Sequence, residues 1–170
     1  ASSSGVIEGC DIGDTFNAGA SSISGFEIAA TTQHINETGN KISAGLSYTN
    51  TDAKFDTTFD SDFWGNVRAG MSLPNLPKSQ LTMFLSLETV TGWNTHLRMM
   101  SYGETCSIVA CEANTGIDSY SITDLSFSKT INKETDFYMV IDNITDSKNI
   151  VARAPKNGIR TQRPRSYNLG

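Results

Sequence analysis

Between residues 42 and 49, Ile42, Ala44, Leu46 and Tyr48 alternate strictly with Ser43, Gly45, Ser47 and Thr49. A period of two is that of a pleated strand with one apolar and one polar face. The pattern returns at 81–88, where Leu81, Met83, Leu85 and Leu87 oppose Thr82, Ser86 and Glu88, and only Phe84 breaks it. Weaker versions lie at 22–33, with Phe26, Ile28 and Ala30 against Gly25, Glu27 and Thr31, and at 93–102, with Trp93, Leu97 and Met99 against Asn94, His96 and Arg98. In 119–129, Tyr120 and Ile122 share one parity while Leu125 and Phe127 share the other, which predicts a bulge or a change of register. FYMVI at 137–141 is continuously apolar, so its period gives no orientation.

The connections between these strands sort by length. Short ones are predicted at 34–41, 90–92 and 130–134, and long ones at 52–77, 103–117 and 145–163, in strict alternation. A meander with tight turns at one end and extended loops at the other is expected of an outer-membrane barrel, and strands of about ten tilted residues have the length to cross a bilayer. Only the lipid-facing half of such a strand must be apolar, which accounts for a hydrophobic content of 38% in 170 residues. Tyr48, Trp93, Tyr102 and Tyr120 fall near strand ends, where an interfacial aromatic girdle is expected. There is no apolar run of about 18 residues to form a membrane helix, and residues 1–9 lack the charged start and apolar core of a signal peptide. A net charge of −5 and a pI near 4.9 argue against a nucleic-acid partner.

Little here points to catalysis. His34, in a predicted turn, and His96, on the polar parity of its strand, are isolated. No nucleophile elbow, zinc-protease or phosphate-loop motif occurs, so no catalytic residue, metal or cofactor is expected. Asp56, Asp60 and Asp62 lack the ligand spacing of a calcium loop. Cys106 and Cys111 enclose four residues and suit a small disulfide ring in an exposed loop, leaving Cys10 to pair with a residue upstream; three reduced cysteines are the other reading. Lys148, Arg153, Lys156, Arg160, Arg163 and Arg165 make a basic cluster in an acidic chain. It suits a carboxylate- or phosphate-bearing partner as well as an ordinary solvated loop. Trp64 and Arg68 are further candidates for substrate contact.

With the strands placed, several stretches resemble the C-terminal barrel of TonB-dependent receptors, most of all the ferric-citrate-type subgroup. Phe16-Asn17-Ala18-Gly19 with Ile23-Ser24-Gly25-Phe26-Glu27 is similar to the family's NAG…RGxE strand, and the run from Leu46 to Phe55 to its SYTYTDAxF strand. Leu76-Pro77-Lys78-Ser79-Gln80 resembles the entry to the next strand. Asp118-Ser119-Tyr120 with Asp124-Leu125-Ser126, the run from Val140 to Asp146, and Arg163-Pro164-Arg165-Ser166-Tyr167 follow in the family's order.

The resemblance implies an all-β, transmembrane antiparallel β-barrel, with residues 1–170 supplying roughly the last seven strands of a 22-stranded plugged barrel: 21–33, 41–53, 78–90, 93–103, 118–130, 134–145 and 164–170. The plug and the earlier strands are expected to lie outside this sequence. It further implies a bacterial outer-membrane location, an iron-chelate ligand (a siderophore or ferric citrate), TonB as a partner through the plug, and contact with outer-membrane lipid and lipopolysaccharide. Two departures stand out: Ser24 replaces the usual arginine, and Gly170 stops short of the terminal aromatic. The alternative is a secreted all-β binding module, an adhesin or fibre domain, whose alternating faces would build a sandwich core.

Overall fold

A computed structural model describes residues 19–61, 64–109, 111, 114–153 and 158–170. The expectations placed on Cys10, Phe16, Asn17, Ala18, Asp62 and Lys156 therefore lie outside the described residues. The strands are β1 (Ser21–Ile35), β2 (Lys41–Phe55), β3 (Phe59–Ser61), β4 (Gly65–Val67), β5 (Ser79–Glu88), β6 (Trp93–Tyr102), β7 (Thr105–Cys106), β8 (Gly116–Ile117), β9 (Tyr120–Asn132), β10 (Thr135–Asp142), β11 (Ile150–Ala152), β12 (Arg160–Thr161) and β13 (Ser166–Leu169). Seven form one sheet in the order β1-β2-β5-β6-β9-β10-β13, each pair of neighbours antiparallel. The remaining six pair as hairpins β3–β4, β7–β8 and β11–β12, one within each long loop.

The register sorts the sheet into two faces. One rung runs Thr32, Ala44, Leu85, Leu97, Leu125, Ile141, Tyr167 across all seven strands, and the next on that face runs His34, Ile42, Leu87, Thr95, Phe127, Met139, Leu169. On the opposite face one rung runs Gln33, Ser43, Ser86, His96, Ser126, Val140, Asn168. The apolar face is open: Ile28 is 56% exposed, Leu85 50%, Trp93 51% and Leu169 65%. A sandwich would bury these side chains under a second sheet, so the adhesin-type core is not what this alternation builds. An uncovered apolar face of this extent instead suits a lipid solvent.

Among the described residues the buried apolar side chains are few, and most lie at or beyond the long-loop end: Ala53, Phe55, Val67, Val109, Ile117 and Ile141. The protein-side core therefore sits under the long loops and not against the sheet.

Several expectations need correction. His34 is not in a turn, because β1 continues to Ile35 and pairs His34 with Ile42. The turn is Asn36–Asn40, closed by an Asn36 side chain that accepts from the Thr38 and Asn40 amides, with Gly39 at φ +83°. No register shift interrupts β6–β9; the change of parity in β9 is a change of face, with Tyr120 and Ile122 beside Tyr102 and Met100 on the polar side. The one irregularity of β9–β10 falls at Thr135/Asp136, next to the turn. Tyr102 and Tyr120 accordingly cannot join a lipid-facing girdle, whereas Tyr48 and Trp93 lie on the apolar face. Strand β10 stops at Asp142, short of 145, because Asn143 takes a left-handed φ of +50°. Phe84 breaks the alternation by lying on the polar face above Gly45, stacked on His96 at 5.7 Å between centroids. A Cβ on Gly45 would come within 2.4 Å of that ring, so the glycine makes the seat for the aromatic.

Candidate functional site

The long loops are joined side by side into one layer at a single end of the sheet. In the first, Phe55 meets Phe59 edge-on at 5.6 Å and Trp64 at 5.4 Å, and these rings with Met71 and Leu73 surround the fully buried Val67. The loop's return leg extends the sheet, with Phe55 N donating to Met71 O (2.9 Å) and Leu73 N to Ala53 O (3.0 Å). The second loop inserts Val109 into this cluster and accepts at Cys106 O from Asn75 N (2.7 Å). Cys106 and Cys111 are joined by a disulfide with Cα atoms 5.3 Å apart. The third loop reaches the second through Arg153 Nε, which donates to Gly116 O at 2.8 Å.

Between the first two loops lies a recess of about 410 Å3, with Leu73, Leu76 and Val109 on its apolar side and Asp52, Glu104 and Asp118 contributing carboxylates. Lys78 on its wall is paired with Glu104 at 2.9 Å. On the polar face below, Tyr102 and Tyr120 stack at 5.0 Å and Arg98 holds Asp124 at 2.9 Å. The other oxygen of Asp124 accepts from Asn143 N at 3.0 Å, which ties the polar face to the base of the third loop. Nothing in the sequence pattern singled out Asn143 or Asp124; only their place in the quoted motifs marked them.

The sequence-predicted contact residues fall into two groups. Trp64 and Arg68 flank β4, but Trp64 is half-buried in the aromatic cluster, so packing occupies it. Arg68 is exposed, its Nε donating to Asn66 Oδ1 at 3.3 Å. Arg153 and Arg160 belong to the β11–β12 hairpin, where Ala152 pairs with Arg160. Arg153 is half-buried and donates through Nε to the Gly116 carbonyl, whereas Arg160 is exposed. Gln162, two residues further on but buried, accepts from Asn149 Nδ2 at 2.8 Å, while its own Nε2 has no acceptor among the described residues.

The disulfide makes a testable contribution to this layer. Replacing both Cys106 and Cys111 by serine is expected to weaken the second loop by about 2 kcal/mol, the closure entropy of so small a ring. Hydrogen exchange at Asn75 and Val67 should accelerate while the seven-stranded sheet stays protected; unchanged exchange there would show that the ring does not hold Val109 in place.

One open apolar face, one polar face and long loops gathered at one end define the wall of a membrane-type β-barrel. The chain belongs to the TonB dependent receptor-like, beta-barrel family, whose model matches residues 2–144. A comparison with curated proteins finds no match. Among solved structures, the siderophore receptor PiuA from Acinetobacter baumannii aligns with TM-score 0.68 at 20% identity, over 88% of this chain and 21% of that one. The ferric citrate transporter FecA in its unliganded form gives 0.64 at 17% identity, over 88% and 23%. The ferric-catecholate import receptor Fiu from K12 E. coli gives 0.59 at 15% identity, over 88% and 24%. The chain thus spans less than a quarter of the length of these structures, and at such identities the likeness is one of fold.

Proposed function

We propose that these residues form part of the barrel wall of a bacterial outer-membrane receptor that captures an iron chelate at its long loops and imports it. TonB delivers the energy through a plug held against the polar face. The reading is carried by the family match over residues 2–144 on a sheet whose two faces suit lipid and a polar interior. It is supported by the solved structures above, a siderophore receptor, a ferric citrate transporter and a ferric-catecholate import receptor. The polar face offers hydroxyls and charges in plenty, Ser43, Ser86, Asp124 and Arg98 among them, for a plug to meet by hydrogen bonding. Exposed Arg68, Arg160 and Arg163 favour an anionic chelate, since guanidinium grips carboxylate in a bidentate fork. Lys156, between Arg153 and Arg160 in sequence, is a further candidate by its charge alone.

The test is growth of the source bacterium under iron limitation on single ferric chelates, with the gene deleted and restored. Deletion should abolish use of one class of chelate. Arg68→Ala and Arg160→Ala in the full receptor should each weaken binding of that chelate about tenfold, the worth of one charge-assisted contact. Release of the native protein from membranes without detergent, or growth on every chelate after deletion, would overturn the reading.

A further inference from the structure

At the short-turn end of the apolar face, Trp93 and Lys129 are directly opposed in the β6–β9 register. The Lys129 ammonium stands 5.2 Å from the centre of the indole ring and also donates to the Thr91 carbonyl. The turn that carries Thr91 is fixed. Thr89 N donates to Trp93 O at 2.8 Å, Thr89 Oγ1 accepts from Trp93 N at 2.9 Å, and Thr130 N donates to Gly92 O at 3.0 Å. Gly92, at φ +84°, packs so closely on β9 that an added Cβ would lie 3.1 Å from Thr130 O. The cation is therefore held in place before any partner arrives.

Around it the surface is apolar and open: Val90 is 66% exposed, Trp93 51% and Phe137, the β10 partner of Lys129, 43%. Glu88 is engaged by Lys41 and Asp136 lies on the opposite face, so among the described residues Lys129 forms no ion pair. An uncompensated ammonium at the last apolar rung, rimmed by a hydroxyl-bearing turn, needs an anion whose other end is hydrocarbon. A lysine near the edge of a lipid-facing surface extends its head toward the headgroup layer, and an indole prefers the same depth.

We propose that Lys129, Trp93 and Thr91 seat the phosphate of a glycerophospholipid in the leaflet at the short turns, its acyl chains lying along Phe127, Leu97 and Phe137. The proposal rests on the membrane-barrel reading. Short turns face the periplasm in such barrels, which sets this site in the phospholipid leaflet and away from the lipopolysaccharide at the long loops.

The experiment uses the full-length receptor, extracted in detergent, delipidated and titrated with phosphatidylglycerol under native mass spectrometry. Lys129→Gln should weaken binding about fivefold, as expected for one lysine at a lipid surface. Lys129→Arg should bind within about twofold of wild type, and Lys54→Gln, at the long-loop end, should change nothing. Folding of each variant is read from its heat-modifiable electrophoretic mobility. Should Lys129→Gln not fold, the wild type alone decides, because it should prefer phosphatidylglycerol over phosphate-free diacylglycerol. Equal binding of wild type and Lys129→Gln, equal weakening by Lys129→Arg, no preference over diacylglycerol, or displacement by lipid A through Lys129 each overturns the site. Failure of the barrel reading would show separately, as protein leaving the membrane fraction without detergent.

Discussion

Replacing Gly25 with valine is expected to destabilise the β1–β2 ladder by about 2–4 kcal/mol. Gly25 pairs with Thr51, and a Cβ built on it would stand 2.1 Å from Asn50 O, 3.1 Å from Asn50 C and 3.2 Å from Thr51 Cα. These are backbone atoms of the neighbouring strand, so no rotamer change relieves the overlap and the strands must move apart. Gly45 makes the contrast. Its obstruction is the Phe84 ring, with Thr31 Cγ2 at 3.0 Å. Gly45→Ala should therefore be largely rescued by Phe84→Ala, while no side-chain change should rescue Gly25→Val. Urea titration of the full receptor in detergent, followed by heat-modifiable mobility, measures both. A Gly25→Val protein as stable as wild type would show that β1 and β2 do not approach as closely as described.

The sheet was legible in the sequence because lipid and a polar interior impose opposite demands on alternate residues, so parity alone sorts Leu85 from Ser86. β1, β2, β5 and β6 stand where the alternation places strands for that reason, whereas β13 was marked by the family resemblance alone. Even one misplacement was readable: Trp93, Leu97 and Met99 are odd-numbered and apolar-facing, so Tyr102 belongs with His96 and Arg98. Proximity to a strand end had suggested a girdle, but the alternation in β6 already excluded it. Phe84 looked like an error in the pattern and is instead paired with Gly45, a cross-strand relation that no single-strand period contains.

The loop layer was not legible in the same way. Phe55, Val67 and Val109 meet from well-separated parts of the chain, and nothing periodic links them. Trp64 and Arg153 were expected at a ligand because of their residue types. The structure packs Trp64 in an aromatic cluster and has Arg153 Nε donate to the Gly116 carbonyl of the neighbouring loop. Arg68 and Arg160 stay exposed, and what distinguishes them from the half-buried Arg153 is a burial that only three-dimensional proximity supplies.

Asn143→Ala should loosen the whole third loop, at a cost of about 2–4 kcal/mol. Asn143 is 2% exposed, and its Nδ2 donates to Ser147 O at 3.0 Å and Arg163 O at 2.9 Å. Its Oδ1 accepts from Ser147 N at 3.1 Å, so one side chain joins the departing and returning legs of the loop. Asp146, with φ +52°, continues the clasp by accepting at Oδ1 from Arg165 N at 3.1 Å. Alanine would remove these bonds, leave buried polar groups unpaired and add the left-handed backbone strain that asparagine tolerates. Asn143→Gly relieves only the last of these, so it should recover about 1 kcal/mol and no more. Asn143→Asp keeps the acceptor for Ser147 N but faces two carbonyl oxygens with a charge, and should fall near alanine. Limited proteolysis between residues 143 and 165 of the folded receptor ranks the variants. Cleavage at Asn143→Ala no faster than wild type would mean the loop is held by its hairpin alone. The predicted order, wild type slowest, then glycine, then alanine and aspartate, separates the backbone contribution from the hydrogen bonds. Since Asp124 grips Asn143 N while Arg98 grips Asp124, Asp124→Asn should lie on the same scale and transmit a change on the polar face to the loop that carries Arg160.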